Sequence, residues 1–236
     1  MSPPNYDAMR QFIQVPGLEG QSKNVGYIPM DRQKNVIGNS GVTIGVGFDL
    51  GQHNKQQLVD MGFSNKMIKT LSPYLGKKGN EAKSFLENNE LVLSSQPGSN
   101  QDYLETITKP TKYYSDILAS KYDKATGVPG DFSRLEAPMQ GAIYSVFYQL
   151  GMSNPSKSAP KFWKHATGKN WKGLLNELET GAWGNKKIGE EPGQQRNRLR
   201  WLYDRRKLEA KKLRESGSIV AQSVFDQEGP DFGYFT

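Results

Sequence analysis

The sequence contains no cysteine and only two histidines, His53 and His165. The absence of cysteine excludes disulfide frameworks, thiol nucleophiles and cysteine-based zinc sites. Two histidines are few for the ligands of a zinc amidase or zinc peptidase. The chain also lacks an Asp-rich loop of the calcium-binding type and a G-x-S-x-G nucleophile elbow. A Ser-His-Asp triad stays open, but carboxylates are the simplest catalytic groups left, and we predict neither a metal nor another cofactor.

Long hydrophobic runs are absent as well. No stretch approaches the roughly 18 apolar residues that are needed to span a bilayer. The opening segment MSPPNYDAMRQF has no apolar region of the kind found in a Sec signal peptide. We therefore expect no stable membrane insertion. If the protein acts outside the cytoplasm, for example on cell wall in the periplasm or outside the cell, it needs delivery by lysis machinery, a secretion system or a carrier domain.

Acidic residues are in the minority, with 24 Asp and Glu against 31 Lys and Arg, which gives a formal net charge of +7. A basic surface attracts polyanions. Nucleic acid, anionic lipid and bacterial cell wall with its peptide carboxylates are all polyanions. The charge alone does not decide among them.

The apolar pattern of the first 50 residues predicts one helix followed by strands. Apolar residues at near-helical spacing predict a helix over 4–15 that ends at Pro16-Gly17. The segments Val25–Asp31 and Val42–Leu50 are β-branched and rich in glycine, and they predict strands. Arg32–Gly41 between them predicts a turn or a third, irregular strand.

From Asn54 the pattern is helical nearly to the end. The clearest helix covers 138–150, where an apolar stripe recurs at helical spacing, as expected of a central buried helix. A second, long helix with a basic character is predicted over 194–214. The pattern as a whole predicts an α+β fold with a small β-rich lobe (about 20–52), a larger helical lobe (about 54–215) and a cleft between them. We expect a single domain over 1–215, a monomer, and a loose tail over 216–236.

Glu19 is a candidate acid catalyst. Glycoside hydrolysis needs one carboxylic acid to protonate the leaving oxygen, and a second group that holds a water or attacks the sugar. Glu19 lies in VPGLEG, at the exit of the first predicted helix and beside the apolar Leu18. The alternative is a glutamate in a surface turn.

The glycine-rich strand offers the second group. In GVTIGVGFDLGQ, strict alternation places Thr43, Gly45, Gly47 and Asp49 on one face and apolar residues on the other. Glycines inside a strand often mark the close approach of a ligand, so this face suits a sugar. Alternatively, these glycines serve only the curvature of a bulged hairpin.

These segments resemble a known family. The run TIGVG after a Glu-Gly dipeptide resembles the TIG-x-G signature of phage-type lysozymes. The longer segment GVTIGVGFDLGQ bears more resemblance to the muramidase domain of pesticin-like bacteriocins and toxin effectors. MQGAIYSVFYQLG resembles the central helix of phage lysozymes, and the segments from Trp171 to Trp183 and over 194–205 resemble their C-terminal helices. The resemblance covers most of 10–210, with family-atypical sequence over about 60–130.

The resemblance implies a glycoside hydrolase: a lysozyme, or N-acetylmuramidase, that cuts peptidoglycan. Carried over to this chain, Glu19 is the general acid, Thr43 positions the hydrolytic water and Asp49 is the second carboxylate. Phage enzymes have their aspartate a few residues before the threonine, and here the upstream candidate Asp31 lies twelve residues before Thr43. We favour Asp49 and leave Asp31 open. Tyr27 and Gln149 resemble substrate-binding positions of the cleft wall.

Two other classes of function stay open. One is a binding module that holds wall glycan without cutting it. The other, less favoured, is a nucleic-acid-binding protein, which the charge and the Arg-rich C-terminal helix suggest although no nucleic-acid motif is present. If the chain is a lysozyme, the basic residues of that helix form a solvated face or attract anionic wall polymer. These residues are Arg196, Arg198, Arg200, Arg205, Arg206 and Lys207. The expected partner is therefore the peptidoglycan strand and not nucleic acid, together with an immunity protein if the chain is a toxin.

Overall fold

The computed structural model describes residues 2–31, 33–93, 101–181 and 193–216, without the side chains of 101 and 193–201. The predicted tail over 216–236, apart from Ser216, lies outside the described residues, as do Trp183 and the side chains of Arg196, Arg198 and Arg200. The described residues fall into two compact units, one formed by Met1–Leu18 with Tyr114–Thr236 and the other by Glu19–Tyr113. The predicted single domain over 1–215 stays a prediction.

The first unit consists of helices. Its chain order is α1 (Tyr6–Ile13), the C-terminal part of α5 (Gln101–Thr126), α6 (Ala137–Leu150), α7 (Pro155–Ser158), α8 (Pro160–Thr167), α9 (Trp171–Thr180) and α10 (Gly193–Glu215). The helix predicted over 4–15 is confirmed as α1, which Asn5 caps by accepting a hydrogen bond from the Ala8 amide.

Helix α6 is the centre of this unit, as the sequence predicts. Every residue from Met139 to Phe147 is buried, including the polar Gln140 and Ser145. Helices α1 and α10 pack against it, and α9 packs in turn against α10. Gly141 allows α1 to approach closely, since a Cβ there would lie 2.7 Å from Cδ2 of Phe12.

Helix α10 differs from the prediction of a solvated basic face. Arg205 and Arg206 are 1 % and 0 % exposed, and both form ion pairs with the equally buried Glu209. Ser145 of α6 donates a 2.5 Å hydrogen bond to Glu209. The reason is packing: α10 lies against α6, so part of its basic surface faces the core. Lys207 is exposed as expected.

The second unit carries the sheet. Strands β1 (Lys23–Tyr27), β2 (Thr43–Gly45) and β3 (Phe48–Asp49) form an antiparallel sheet in the order β1-β2-β3. A short 3₁₀ turn (Leu50–Gln52) follows, and then come α2 (Lys55–Asp60), α3 (Asn65–Leu71), α4 (Gly79–Asn88) and the N-terminal part of α5. The α+β fold class is therefore confirmed.

The prediction of one strand over Val42–Leu50 is wrong. The segment is a tight hairpin that turns at Val46 and Gly47. Gly45 and Gly47 have φ angles of 63° and 68°, and this left-handed conformation is what reverses the chain. The apolar set is buried as predicted, because cross-strand pairing keeps Ile44 opposite Phe48.

The first predicted strand is displaced. It covers Lys23–Tyr27 and not Val25–Asp31, and the chain beyond it forms an isolated bridge between Met30 and Val36.

Among the helices of the described residues, none combines the length and the apolar character that a membrane span requires.

Candidate active site

Glu19 lies in the turn that follows α1, and its side chain is half-buried. Its carboxyl group lies against the β2–β3 turn. A Cβ placed on Gly47 would be 3.1 Å from Cδ of Glu19 and closer still to Oε2. The position that the sequence singles out as an acid therefore contacts the glycine hairpin.

Thr43 and Asp49 are brought together as cross-strand partners of β2 and β3. Alternation along one strand predicts that they share a face, and the structure reaches that result through pairing across a hairpin. Thr43 is 3 % exposed, and its hydroxyl donates to the carbonyl of Gly41 over 3.2 Å.

The Asp49 carboxylate is held by backbone amides. Oδ1 accepts hydrogen bonds from the amides of Gly41 (3.0 Å) and Gly51 (2.9 Å), and Oδ2 accepts one from the Gln52 side chain (3.2 Å). The Gly51 contact caps the 3₁₀ turn, so Asp49 also organises the loop after β3.

The phenol of Tyr27 interacts electrostatically with the carboxylates of both Glu19 and Asp49. It pairs with Thr43 across β1 and β2. Burial, and after it the negative charges of Glu19 and Asp49, raise the pKa of the Tyr27 phenol to about 12. The phenol is therefore neutral at physiological pH and can donate a hydrogen bond. The Lys23 ammonium lies 3.9 Å from the centroid of its ring.

Asp31, the alternative second carboxylate, holds its own turn. Its oxygens accept hydrogen bonds from the amides of Gln33 and Asn35 and from the Asn35 side chain. The Asn35 amide is the main cause of a lowered Asp31 pKa. The choice of Asp49 over Asp31 stays a prediction, supported by the pairing of Asp49 with Thr43.

Gln149 belongs to the other unit, near the end of α6. Its Oε1 accepts a 3.2 Å hydrogen bond from Nη2 of Arg206. Because a guanidinium group only donates, this contact fixes the amide so that Oε1 points to Arg206 and Nε2 points away. Its predicted role in substrate binding stays a prediction.

Sequence reasoning missed the groups that support Asp49. His53 lies beside it, with Nδ1 2.6 Å from the Asp49 carbonyl and its ring 4.6 Å from that of Phe48. Burial lowers the pKa of His53. The spacing of Asp49 and Gly51 was a usable signal, because Asp side chains commonly accept from the amide two residues on. The described residues contain no cluster of three His, Asp or Glu that could hold a metal ion.

A comparison with protein families identifies the class to which this fold and these residues belong. Residues 10–172 match the Pesticin family, described as a bacterial toxin homologue of phage lysozyme, C-terminal part. The match covers most of the chain and includes Glu19, Tyr27, Thr43, Asp49 and Gln149.

The chain is therefore a member of the Pesticin family, and its α+β fold is lysozyme-like. The resemblance drawn from the TIGVG segment and the central helix is confirmed. A search among curated proteins finds no match.

Proposed function

We propose that this protein is a peptidoglycan muramidase that hydrolyses the β-1,4 bond between N-acetylmuramic acid and N-acetylglucosamine. The observation that carries the proposal is the placement of Glu19 against the hairpin whose strands pair Thr43 with Asp49. Membership of a family homologous to phage lysozyme supports the same class of reaction. Two carboxylates, a hydroxyl and a neutral phenol suffice for glycoside hydrolysis without a metal.

In the proposed mechanism Glu19 donates its proton to the glycosidic oxygen as the bond to the anomeric carbon breaks. Asp49 either stabilises the oxocarbenium-like transition state or acts with Thr43 to hold the attacking water. That water supplies the hydroxyl of the new reducing end, and the proton that it loses to the carboxylates replaces the one that Glu19 gave to the leaving oxygen. Tyr27 remains protonated, because its pKa of about 12 keeps the phenol neutral, and its hydroxyl is then available as a hydrogen-bond donor.

The Glu19→Gln variant tests the acid. It keeps the size of the side chain and removes the transferable proton, so we expect release of reducing ends from purified peptidoglycan to fall by at least about 100-fold. Glu87→Gln, at an exposed position of α4, is the matched control and should retain activity. Near-normal activity of Glu19→Gln would refute the assignment.

Mass spectrometry of the released fragments identifies the bond that is cut. A muramidase leaves N-acetylmuramic acid at the new reducing end, whereas a glucosaminidase leaves N-acetylglucosamine and a lytic transglycosylase leaves an anhydro sugar. Binding to sacculi without any new reducing end would favour the wall-binding module. Salt-sensitive DNA binding without glycan cleavage would favour the nucleic-acid alternative.

The proposed biological role is bacteriolysis, with peptidoglycan in the periplasm or outside the cell as the substrate. The protein would act as an endolysin, a bacteriocin or an antibacterial effector, delivered by lysis machinery, a secretion system or a carrier domain. In either toxin role, a producing cell needs an immunity protein that neutralises the enzyme. We propose that the protein acts as a monomer.

A further inference from the structure

Gly47 lies unusually close to one particular side chain. The three nearest atoms that a Cβ at this position would meet all belong to Glu19: Oε2, Cδ at 3.1 Å and Cγ at 3.6 Å. Any residue other than glycine would therefore occupy space that the carboxyl end of Glu19 now fills.

Glycine at position 47 has two separate explanations. Its φ of 68° is a left-handed conformation that favours glycine for backbone reasons alone. The second explanation is the space for Glu19. Two other left-handed glycines of the same unit help to separate these effects. Gly38 has a φ of 57° and, among the described residues, nothing within 4 Å of a built Cβ, whereas Gly45 has a φ of 63° and the backbone oxygen of Thr106 at 2.6 Å.

The three glycines thus predict three different costs for an added methyl group. At Gly38 the cost is backbone strain alone. At Gly45 the methyl group meets a backbone oxygen in α5, and the sheet or the helix must move. At Gly47 it meets the end of a flexible side chain, which can rotate away at little cost to the fold. A side chain at position 47 would therefore displace the carboxyl group of Glu19 and leave the fold largely unchanged.

We infer that Gly47 is a positioning residue for Glu19, which sets the location of the acid by leaving the hairpin turn without a side chain. The inference rests on the proposed function, in which Glu19 protonates the leaving oxygen. A displaced acid cannot reach that oxygen, and misplacement by about 1 Å can cost on the order of 100-fold in rate.

The test compares Gly47→Ala with Gly38→Ala and Gly45→Ala. We expect Gly47→Ala and Gly38→Ala to lower Tm by a similar few degrees, since each adds one strained residue, and Gly45→Ala to lower it further. On purified peptidoglycan, kcat of Gly47→Ala should fall about 100-fold with a nearly unchanged KM. Gly38→Ala should keep its kcat. Full activity of Gly47→Ala, or a loss of activity that follows Tm equally in all three variants, would overturn the inference.

A shorter acid gives a second measurement. Aspartate at position 19 withdraws the carboxyl group from the hairpin, so the methyl group of Gly47→Ala should have little further effect on kcat in a Glu19→Asp background. Multiplicative losses in the double variant would contradict a direct contact between the two residues.

A spectroscopic measurement does not depend on activity. The charge of Glu19 contributes to the raised pKa of Tyr27, so displacing the carboxylate should lower that pKa. The phenol is followed by ultraviolet absorbance, as the difference between each protein and its own Tyr27→Phe variant. Tyr27 should ionise at lower pH in Gly47→Ala than in wild type or Gly38→Ala, and an unchanged midpoint would overturn the inference. If wild type releases no reducing ends, the proposed function fails, while this titration still tests the position of Glu19.

Discussion

At the scale of single residues, the two candidate aspartates have similar hydrogen bonding and different neighbours. Asp49 and Asp31 both accept from two backbone amides and one amide side chain. The hydrogen bonds that Asp31 accepts from Gln33 and Asn35 lie within its own turn. Asp49 is paired with Thr43 across the hairpin. In addition to burial, the charges of Glu19 and Asp49 raise the pKa of Tyr27. We therefore expect the charge of Asp49, and not that of Asp31, to matter for catalysis.

Replacing each aspartate by asparagine tests this expectation. In Asp49→Asn the side-chain oxygen can still accept from the amides of Gly41 and Gly51, so the loop should persist while the charge is lost. We expect kcat to fall on the order of 100-fold or more, the range for removing an electrostatic group from an active site. Asp31→Asn should keep near-wild-type activity on the same peptidoglycan. The reverse pattern would move the second carboxylate to Asp31.

At the scale of elements, the contact between α6 and α10 contains a fully buried network of charged side chains. Glu209 is the carboxylate for both Arg205 and Arg206, and all three side chains are inaccessible to solvent. Arg205 also donates to the carbonyl and the hydroxyl of Ser145, so the network ties α10 to the central helix. Removing one partner of such a group leaves buried charge without compensation.

Two substitutions, one on α10 and one on α9, should differ strongly in their effect on stability. Glu209→Gln leaves two buried guanidinium groups beside a neutral amide, so we expect a loss of about 3–5 kcal/mol in the free energy of unfolding. Glu179→Gln breaks the ion pair between Glu179 of α9 and Arg214 of α10, whose side chains are 34 % and 38 % exposed. This change should cost at most about 1 kcal/mol. Urea denaturation measures both values. Equal losses would mean that the buried network contributes no more than a surface pair.

The same scale explains which elements the sequence predicts well. Helix α6 depends on apolar neighbours three or four residues apart, and it lies where the sequence predicts it. The β2–β3 hairpin was predicted as one strand because strict alternation continues through its turn. The left-handed conformation of Gly45 and Gly47 reverses the chain without changing which side chains are apolar.

At the scale of the whole molecule, the net charge of +7 should govern attraction to an anionic wall. We expect the fraction of Glu19→Gln protein that sediments with sacculi to fall as salt rises from about 0.05 M to about 0.5 M, because added ions screen exposed charges. The inactive variant keeps the sacculi intact during the assay. Binding that does not change with salt would mean that charge has no part in wall association.

The sequence by itself determined the class of this protein. Its apolar periodicity specifies the α+β elements, the absence of cysteine and the scarcity of histidine leave carboxylate chemistry, and TIGVG with the central helix specifies the family. Only the tertiary structure decided that Glu19 lies against Gly47, that Thr43 lies opposite Asp49 and that Arg205 and Arg206 are buried. The physical reason is the separation along the sequence of the residues that interact. Periodicity and capping act between near neighbours along the chain, whereas these contacts exist only after the chain has closed loops between segments far apart in sequence.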